Sequence, residues 1–277
     1  MTGRLSFGGI LRSEWIKLWS LRSTWWCYGV TLVLTVGIGA LLASAMSVSA
    51  PASVDDIAQA GFQTQAVQAA TVGLGFSTLA TAVLGVLAIA GEYSTGQIRS
   101  TFAAVPNRVV ALLGKLLVFM VATFAVAVVT LALCAAATLP LLTAAGLPVD
   151  LADPDYWLCL LAGAGYVALL GGVALLVGAI VKVPAGGIMI VVALILVLPQ
   201  ALTIAGVLAQ QTWLLDVNTF LPSNLGSAMS AYPTGADMAG MGSDAISLDP
   251  WQAAAALAAW VVVLGVAASL IVRRRDV

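Results

Sequence analysis

Histidine is absent from the chain, which removes serine–histidine and cysteine–histidine nucleophilic pairs, histidine zinc sites and the usual neutral-pH proton carrier. The three cysteines, Cys27, Cys134 and Cys159, have no CxxC or paired spacing and fall in or beside apolar runs, where a thiol behaves as a small hydrophobe. No GxxxxGK[ST] phosphate loop occurs either: Gly114-Lys115 is followed by leucine and has no glycine five residues earlier. The residues left to do chemistry are charges at the ends of long uncharged runs, chiefly Glu14, Glu92, Lys115 and Lys182, and a sparse set of hydroxyl and amide side chains within the runs. Their chemistry is ion pairing and hydrogen bonding, which hold and move helices and do not make covalent bonds.

The elements that position them follow from composition. Of 277 residues, 61% are hydrophobic and 8% charged, against about 25% charged in soluble proteins. A mean hydropathy of +1.07 places the chain in a lipid bilayer and excludes soluble enzymes and nucleic-acid binders. A span needs about 20 apolar residues, and six runs qualify, near 25–46, 64–90, 109–139, 157–181, 184–206 and 251–272. The expected fold is an all-α polytopic membrane protein, one transmembrane domain over 1–277, with 5–22 before the spans and 207–250 as an outer segment. Val48-Ser49-Ala50 resembles a signal cleavage site. The apolar run before it exceeds the roughly 7–15 residues of a secretory signal, which favours an uncleaved first span.

Charge sets the expected orientation. With six spans, all eleven basic residues fall on one face together with Glu14, Glu92 and Asp276, for a net +8, and nine aspartates fall on the other. Basic flanks are retained in the cytoplasm, so both termini are expected there, in the cell membrane.

Two cytoplasmic segments read as mechanical. Residues 5–22 are too charged to span, yet Phe7, Ile10, Leu11, Trp15, Leu18, Trp19 and Leu21 share one face, the pattern of an interfacial helix. Glu14 interrupts that face, which points to a protein partner. The connection 91–108 is long against a median loop of about 4–6 residues. Gly96 can end one turn, Gln97–Ala104 suits a short helix, and Pro106-Asn107 supplies a stop and an N-cap. Glu92 can bond the first amides of that short helix, or pair with Arg99 or Arg108.

Three features together resemble the membrane subunit of ABC exporters of the type 2 superfamily, particularly actinobacterial permeases. They are Ser13-Glu14-Trp15-Ile16-Lys17-Leu18, the series Gly91-Glu92-Tyr93-Ser94-Thr95-Gly96 with Pro106-Asn107-Arg108 and Lys115, and Leu221-Pro222-Ser223-Asn224. The resemblance implies an elbow helix at 5–22 and a coupling helix at 92–108 docked on a separate ATPase. Glu14, Glu92, Gly96, Gln97, Ile98, Arg99, Phe102, Pro106 and Arg108 then serve coupling, and a side chain of the ATPase becomes a further partner for Glu92. It also implies a second permease copy, identical or related, and two ATPase copies carrying ATP and Mg, with no cofactor on this chain. The turn Val181-Lys182-Val183-Pro184 is the family's lesser cytoplasmic contact.

The membrane interior holds no ionisable residue near its centre, which argues against ion-coupled transport. Lys115, inside its helix, is expected to snorkel to the headgroups. Pro199 should kink or break the fifth helix beside Gln200. With Thr31, Thr35, Thr78 and Thr203 they form the expected cargo pathway. The small residues Ala164, Ala168 and Gly172 read as packing within the chain. The expected function is outward movement of an amphipathic or hydrophobic cargo such as a lipid, drug or peptide. An ATP-independent channel or carrier, and a scaffold that recruits an ATPase, are the alternatives.

Overall fold

Residues 154–181 carry no charge after Asp155 and are rich in small side chains that let neighbouring helices approach from every side. In the computed structural model, which describes residues 7–48, 58–97, 108–147, 149–233, 246 and 248–274, this segment is the central helix of the bundle. Among the described residues the chain is helical, without strands. In chain order it forms α1 (Phe7–Ser20), α2 (Arg22–Val48), α3 (Ala58–Thr71), α4 (Leu74–Ser94), α5 (Arg108–Ala144), α6 (Pro154–Val181) and α7 (Pro184–Val192). A π turn (Ala193–Val197), α8 (Leu198–Ala209), α9 (Thr212–Thr219), α10 (Pro222–Met229) and α11 (Pro250–Arg274) follow.

Six helices are long and apolar enough to cross a membrane: Arg22–Met46, Gly61–Ser94, Arg108–Ala144, Pro154–Val181, Pro184–Ala209 and Pro250–Arg273. This is the architecture of a multi-pass membrane protein. The most apolar stretch of α6 is 78% buried within the bundle, against 22% or less for the spans containing α2, α7–α8 and α11. The peripheral spans therefore leave apolar surface outside the bundle for lipid. Ala164, Ala168 and Gly172 lie inside this packing, with Gly172 against Met120 and Leu116 of α5.

α6 is capped at both ends. Asp153 Oδ1 accepts from the Asp155 N–H at 2.9 Å, with Pro154 in the first turn where no N–H is needed. Lys182 closes the other end in the left-handed region (φ 63°), and its N–H donates to Gly178 O.

Of the two outcomes expected for the fifth span, a kink or a break, the break does not occur: Pro199 does not end the helix. The chain widens into the π turn immediately before the proline and continues as α8 to Ala209, where Gln210 (φ 52°) terminates it. Pro199 offers no N–H to Ile195 O and its ring would press on that carbonyl, and the wider turn relieves both problems. Beyond it, α9 and α10 are two short helices in the expected outer segment, and Leu225 of α10 is fully buried.

The second span is divided. α3 stops at Thr71 and α4 starts at Leu74, with Gly73 between them pressed against α2. A Cβ on Gly73 would lie 2.5 Å from Thr35 Cα and 2.8 Å from Thr35 O, and backbone atoms cannot turn aside. Gly73→Ala should therefore cost about 1–3 kcal/mol as an overpacked crossing. Gly29→Ala meets open space in α2 and should be neutral or stabilising by up to about 1 kcal/mol. Thermal unfolding of the two variants side by side checks this, and equal midpoints would mean that α2 does not cross there.

Candidate functional site

The buried stripe of α1 is Ile10, Glu14 and Leu18, spaced by four so that all three face the bundle. Glu14 thus sits between two core residues, 5% exposed. It is not aimed at an outside partner, as the sequence suggested. Its partners come from inside the chain: Lys115 Nζ of α5 at 2.6 Å from Oε2, and Lys17 Nζ at 2.9 Å from Oε1. Glu92, at the end of α4, meets the same two ammonium groups, with Oε1 3.0 Å from Lys115 Nζ and 3.5 Å from Lys17 Nζ. Two carboxylates and two ammonium groups form a neutral quartet that ties α1, α4 and α5 together.

One expectation is overturned at this site. Lys115 does not snorkel; its side chain is 11% exposed and its donors are directed to the carboxylates. Glu92 is held by Lys115 and Lys17, partners the sequence did not suggest; Arg99 and the short helix lie outside the described residues. Once two carboxylates lie within reach in a low-dielectric site, turning the ammonium toward them offsets its desolvation better than reaching for water.

Burial by itself would raise the Glu14 carboxyl, but Lys115, and then Lys17, offset this and hold it below its ordinary 4.5. For Lys17, burial works to lower the ammonium, yet the hydrogen bond from Glu14 and the charge of Glu92 leave it above its ordinary 10.5. Glu92 Oε2 is buried without a hydrogen-bond partner among the described residues. It borders a cavity of about 330 Å³ that Leu18, Ala88 and Phe119 also line.

The surroundings place more connections at this end. α4 closes through Thr95, whose N–H donates to Gly91 O at 3.1 Å, and Gly96 turns the chain away at φ 73°, a region that favours glycine. Gln97 is exposed beyond it, and Arg108 opens α5. Ile98, Arg99, Phe102 and Pro106 lie outside the described residues. The turn after α6 joins the same end, with Lys182 Nζ 5.0 Å from the centre of the Tyr93 ring. Charge is segregated: Arg12, Lys17, Arg22, Arg108, Lys115, Lys182 and Arg273 occupy this end, and Asp150, Asp153, Asp155, Asp216 and Asp249 the other.

The structure does not gather the expected cargo pathway into one surface. Thr31 and Thr35 are buried at the α2–α4 crossing, where Thr35 Oγ1 and Ser77 Oγ are 2.6 Å apart and Ser77 Oγ donates to Thr31 O at 3.0 Å. They fasten two helices. Pro199 is buried, Gln200 is exposed on an unbroken helix, and Thr203 Oγ1 accepts from Asn218 Nδ2 at 2.9 Å. Thr78 lines a cavity at the acidic end.

A scan against protein-family models finds none that matches the chain, and a search of curated proteins finds no match.

Lys115→Met would leave two buried carboxylates facing one ammonium and should destabilise the protein by about 3–5 kcal/mol. Adding Glu14→Gln should recover part of the loss, and a double-mutant cycle on thermal unfolding reads the coupling. The pH dependence has a definite sign. The lowered Glu14 contributes stability above pH 4.5 that is lost as pH falls through its folded value. The raised Lys17 contributes stability below pH 10.5 that is lost as pH rises through its own. Unfolding midpoints should be flat between about pH 6 and about pH 9 and fall in stronger acid. A transition near neutrality would show that the quartet is not ionised as drawn.

Proposed function

We propose that the chain is the membrane-spanning subunit of an ATP-driven exporter. On this reading its basic end is cytoplasmic and docked on a separate ATPase that carries ATP and Mg. The observation that carries the reading is the neutral quartet. Glu92 and Lys115 lie just before and just after the connection 98–107; Lys115 pairs with Glu14 of α1, and Glu92 pairs with Lys115 and with Lys17 of α1. A push on that connection would reach α1, α4 and α5 together. From α4 it would pass to α2 through the Thr35–Ser77 contact and to α6 through close packing, as at Gly85 against Gly171 O. α1 then acts as an elbow helix and 92–108 as the coupling segment. The mostly uncharged interior suits an amphipathic or hydrophobic cargo, squeezed outward as the spans tilt. The motif resemblance supplies the pairing of two permease copies with two ATPases.

Orientation is testable directly. In a chain whose native cysteines are replaced by serine, an impermeant maleimide added to intact cells should label Gln211→Cys and spare Gln97→Cys, both exposed positions. The reverse pattern would end the reading, because the ATPase could not reach the basic end.

Coupling is tested in vesicles reconstituted with the co-purified ATPase. Glu92→Gln should lower ATP-driven flux at least tenfold while basal ATP hydrolysis persists. Glu92→Gln with Lys17→Met leaves a neutral Glu14–Lys115 pair, so it should regain thermal stability and stay uncoupled, since α4 is no longer tied to α1. Wild-type flux in both variants would make the connection a plain loop.

A further inference from the structure

The second large cavity, about 560 Å³, opens in the acidic-end half of the bundle between α3, α4, the π turn and α10. Its size falls within the roughly 300–1,000 Å³ of small-molecule sites. Val67, Leu74, Ile195 and Leu196 supply an apolar wall. The polar wall has a particular sense. Thr71, Thr78, Ser227 and Ser230 spend their hydroxyl protons on their own helix carbonyls: Val67 O at 2.7 Å, Gly75 O at 2.9 Å, Asn224 O at 2.9 Å and Gly226 O at 3.0 Å. Each oxygen keeps lone pairs for a visitor and has no proton left to give. Ser223 Oγ is buried beside them without a partner among the described residues, so it can accept or donate.

Charge adds a second constraint. No lysine or arginine lines the cavity, and the described ionised side chains at this end are all aspartates. One of them stands directly behind the wall, since Tyr232 Oη donates to Asp153 Oδ2 at 2.6 Å. Tyr232 and Tyr166 present aromatic rings to the same space, and a ring attracts an ammonium and offers nothing to an anion. A wall without lysine or arginine, in which four hydroxyls turn their acceptor sides to the space, the neutral donors are Ser223 and Gln68, and a carboxylate stands behind, favours an ammonium over anionic lipids and carboxylates. We infer that this cavity binds an amphipathic organic cation, with its ammonium among the Thr71, Ser227 and Ser230 oxygens and its apolar body against Val67 and Ile195. The inference names a ligand class for the cargo of the proposed exporter. It depends on that proposal only for the movement of the ligand, because binding itself needs neither ATPase nor nucleotide.

The test uses the purified chain in nanodiscs and three fluorescent probes of one shape: dansylcadaverine, a primary ammonium; its neutral N-acetyl derivative; and the dansyl aminohexanoate anion. Dansylcadaverine should bind saturably above empty nanodiscs, the acetyl derivative at least tenfold more weakly, and the anion without saturation. Gln68 lines the cavity and is exposed, so changes there should leave the fold intact. Gln68→Glu should tighten dansylcadaverine about fivefold and Gln68→Lys weaken it about fivefold, as a single charge near a partly solvated site does. Equal binding of the neutral probe, no saturable binding of the cation, or identical affinities in both Gln68 variants would overturn the inference. Cation binding without ATP-driven flux would keep it and sink only the exporter reading.

Discussion

Buried charge must be neutralised where it lies, and that constraint governs the basic end of this protein. Taking one carboxylate out of water costs several kcal/mol even after relaxation. Glu14 is tolerable in the core stripe of α1 only because Lys115 and Lys17 reach it, and Lys115 is tolerable inside α5 only because two carboxylates reach it. The condition is mutual. Each helix is held at one depth and one rotation by partners on the other two, so α1 cannot lie on the bundle in a slipped register without stranding a charge. An apolar contact between α1 and α5 would tolerate a shift of one turn; an ion quartet does not.

Apolar packing is organised differently. Among the spans the helices come together through small residues and hydroxyl groups, as at Gly73 against the Thr35 backbone, Ser77 against Thr35, and Gly85 against Gly171 O of α6. These contacts fix distance without fixing charge. Helix association among apolar spans has no hydrophobic drive of its own in lipid, so close approach and a few interhelical hydrogen bonds are what remain to hold it. The π turn before Pro199 belongs to the same economy: one extra residue in the turn absorbs the missing donor where no water is available to replace it.

Much of the fold was legible because a span is a matter of length and charge. The six uncharged runs predict the six apolar helices to within a few residues at most ends. The main exception is the third, which continues through Pro140 to Ala144. Proline positions were less legible. Pro199 marks a distortion correctly, but whether the chain breaks or widens depends on turns upstream that no local pattern announces. The candidate site was half legible. Glu14, Glu92 and Lys115 stand out as charges in the wrong company, Glu14 on an apolar face and Lys115 inside a span. Their pairing was not visible, because it joins segments distant in sequence and the local alternatives, headgroups or Arg99 and Arg108, were equally reasonable. One signal was available: two unexplained acids and an unexplained lysine at the same expected depth are a reason to pair them. The hydroxyls of the spans misled for the opposite reason. Threonine in an apolar helix reads as a pathway only if its oxygen is free, and Thr31 and Thr35 are used in holding α2 to α4.

The two ends therefore store polarity in opposite ways, and the difference bears on how such a bundle could work. At the basic end the charges are consumed by one another, so the group is stiff and its polar atoms, Glu92 Oε2 apart, are occupied. At the acidic end the hydroxyl protons of Thr71, Thr78, Ser227 and Ser230 are consumed by helix backbones and their acceptor sides stay open, next to a turn wider than an ordinary helix. A stiff group transmits displacement with little loss, whereas a cavity beside a π turn can change shape without breaking a charge pair. α4 runs from one to the other, with Thr78 at the cavity and Glu92 in the quartet. Any motion imposed on the quartet must therefore alter the cavity wall unless α4 bends between them, and the described helix is continuous from Leu74 to Ser94.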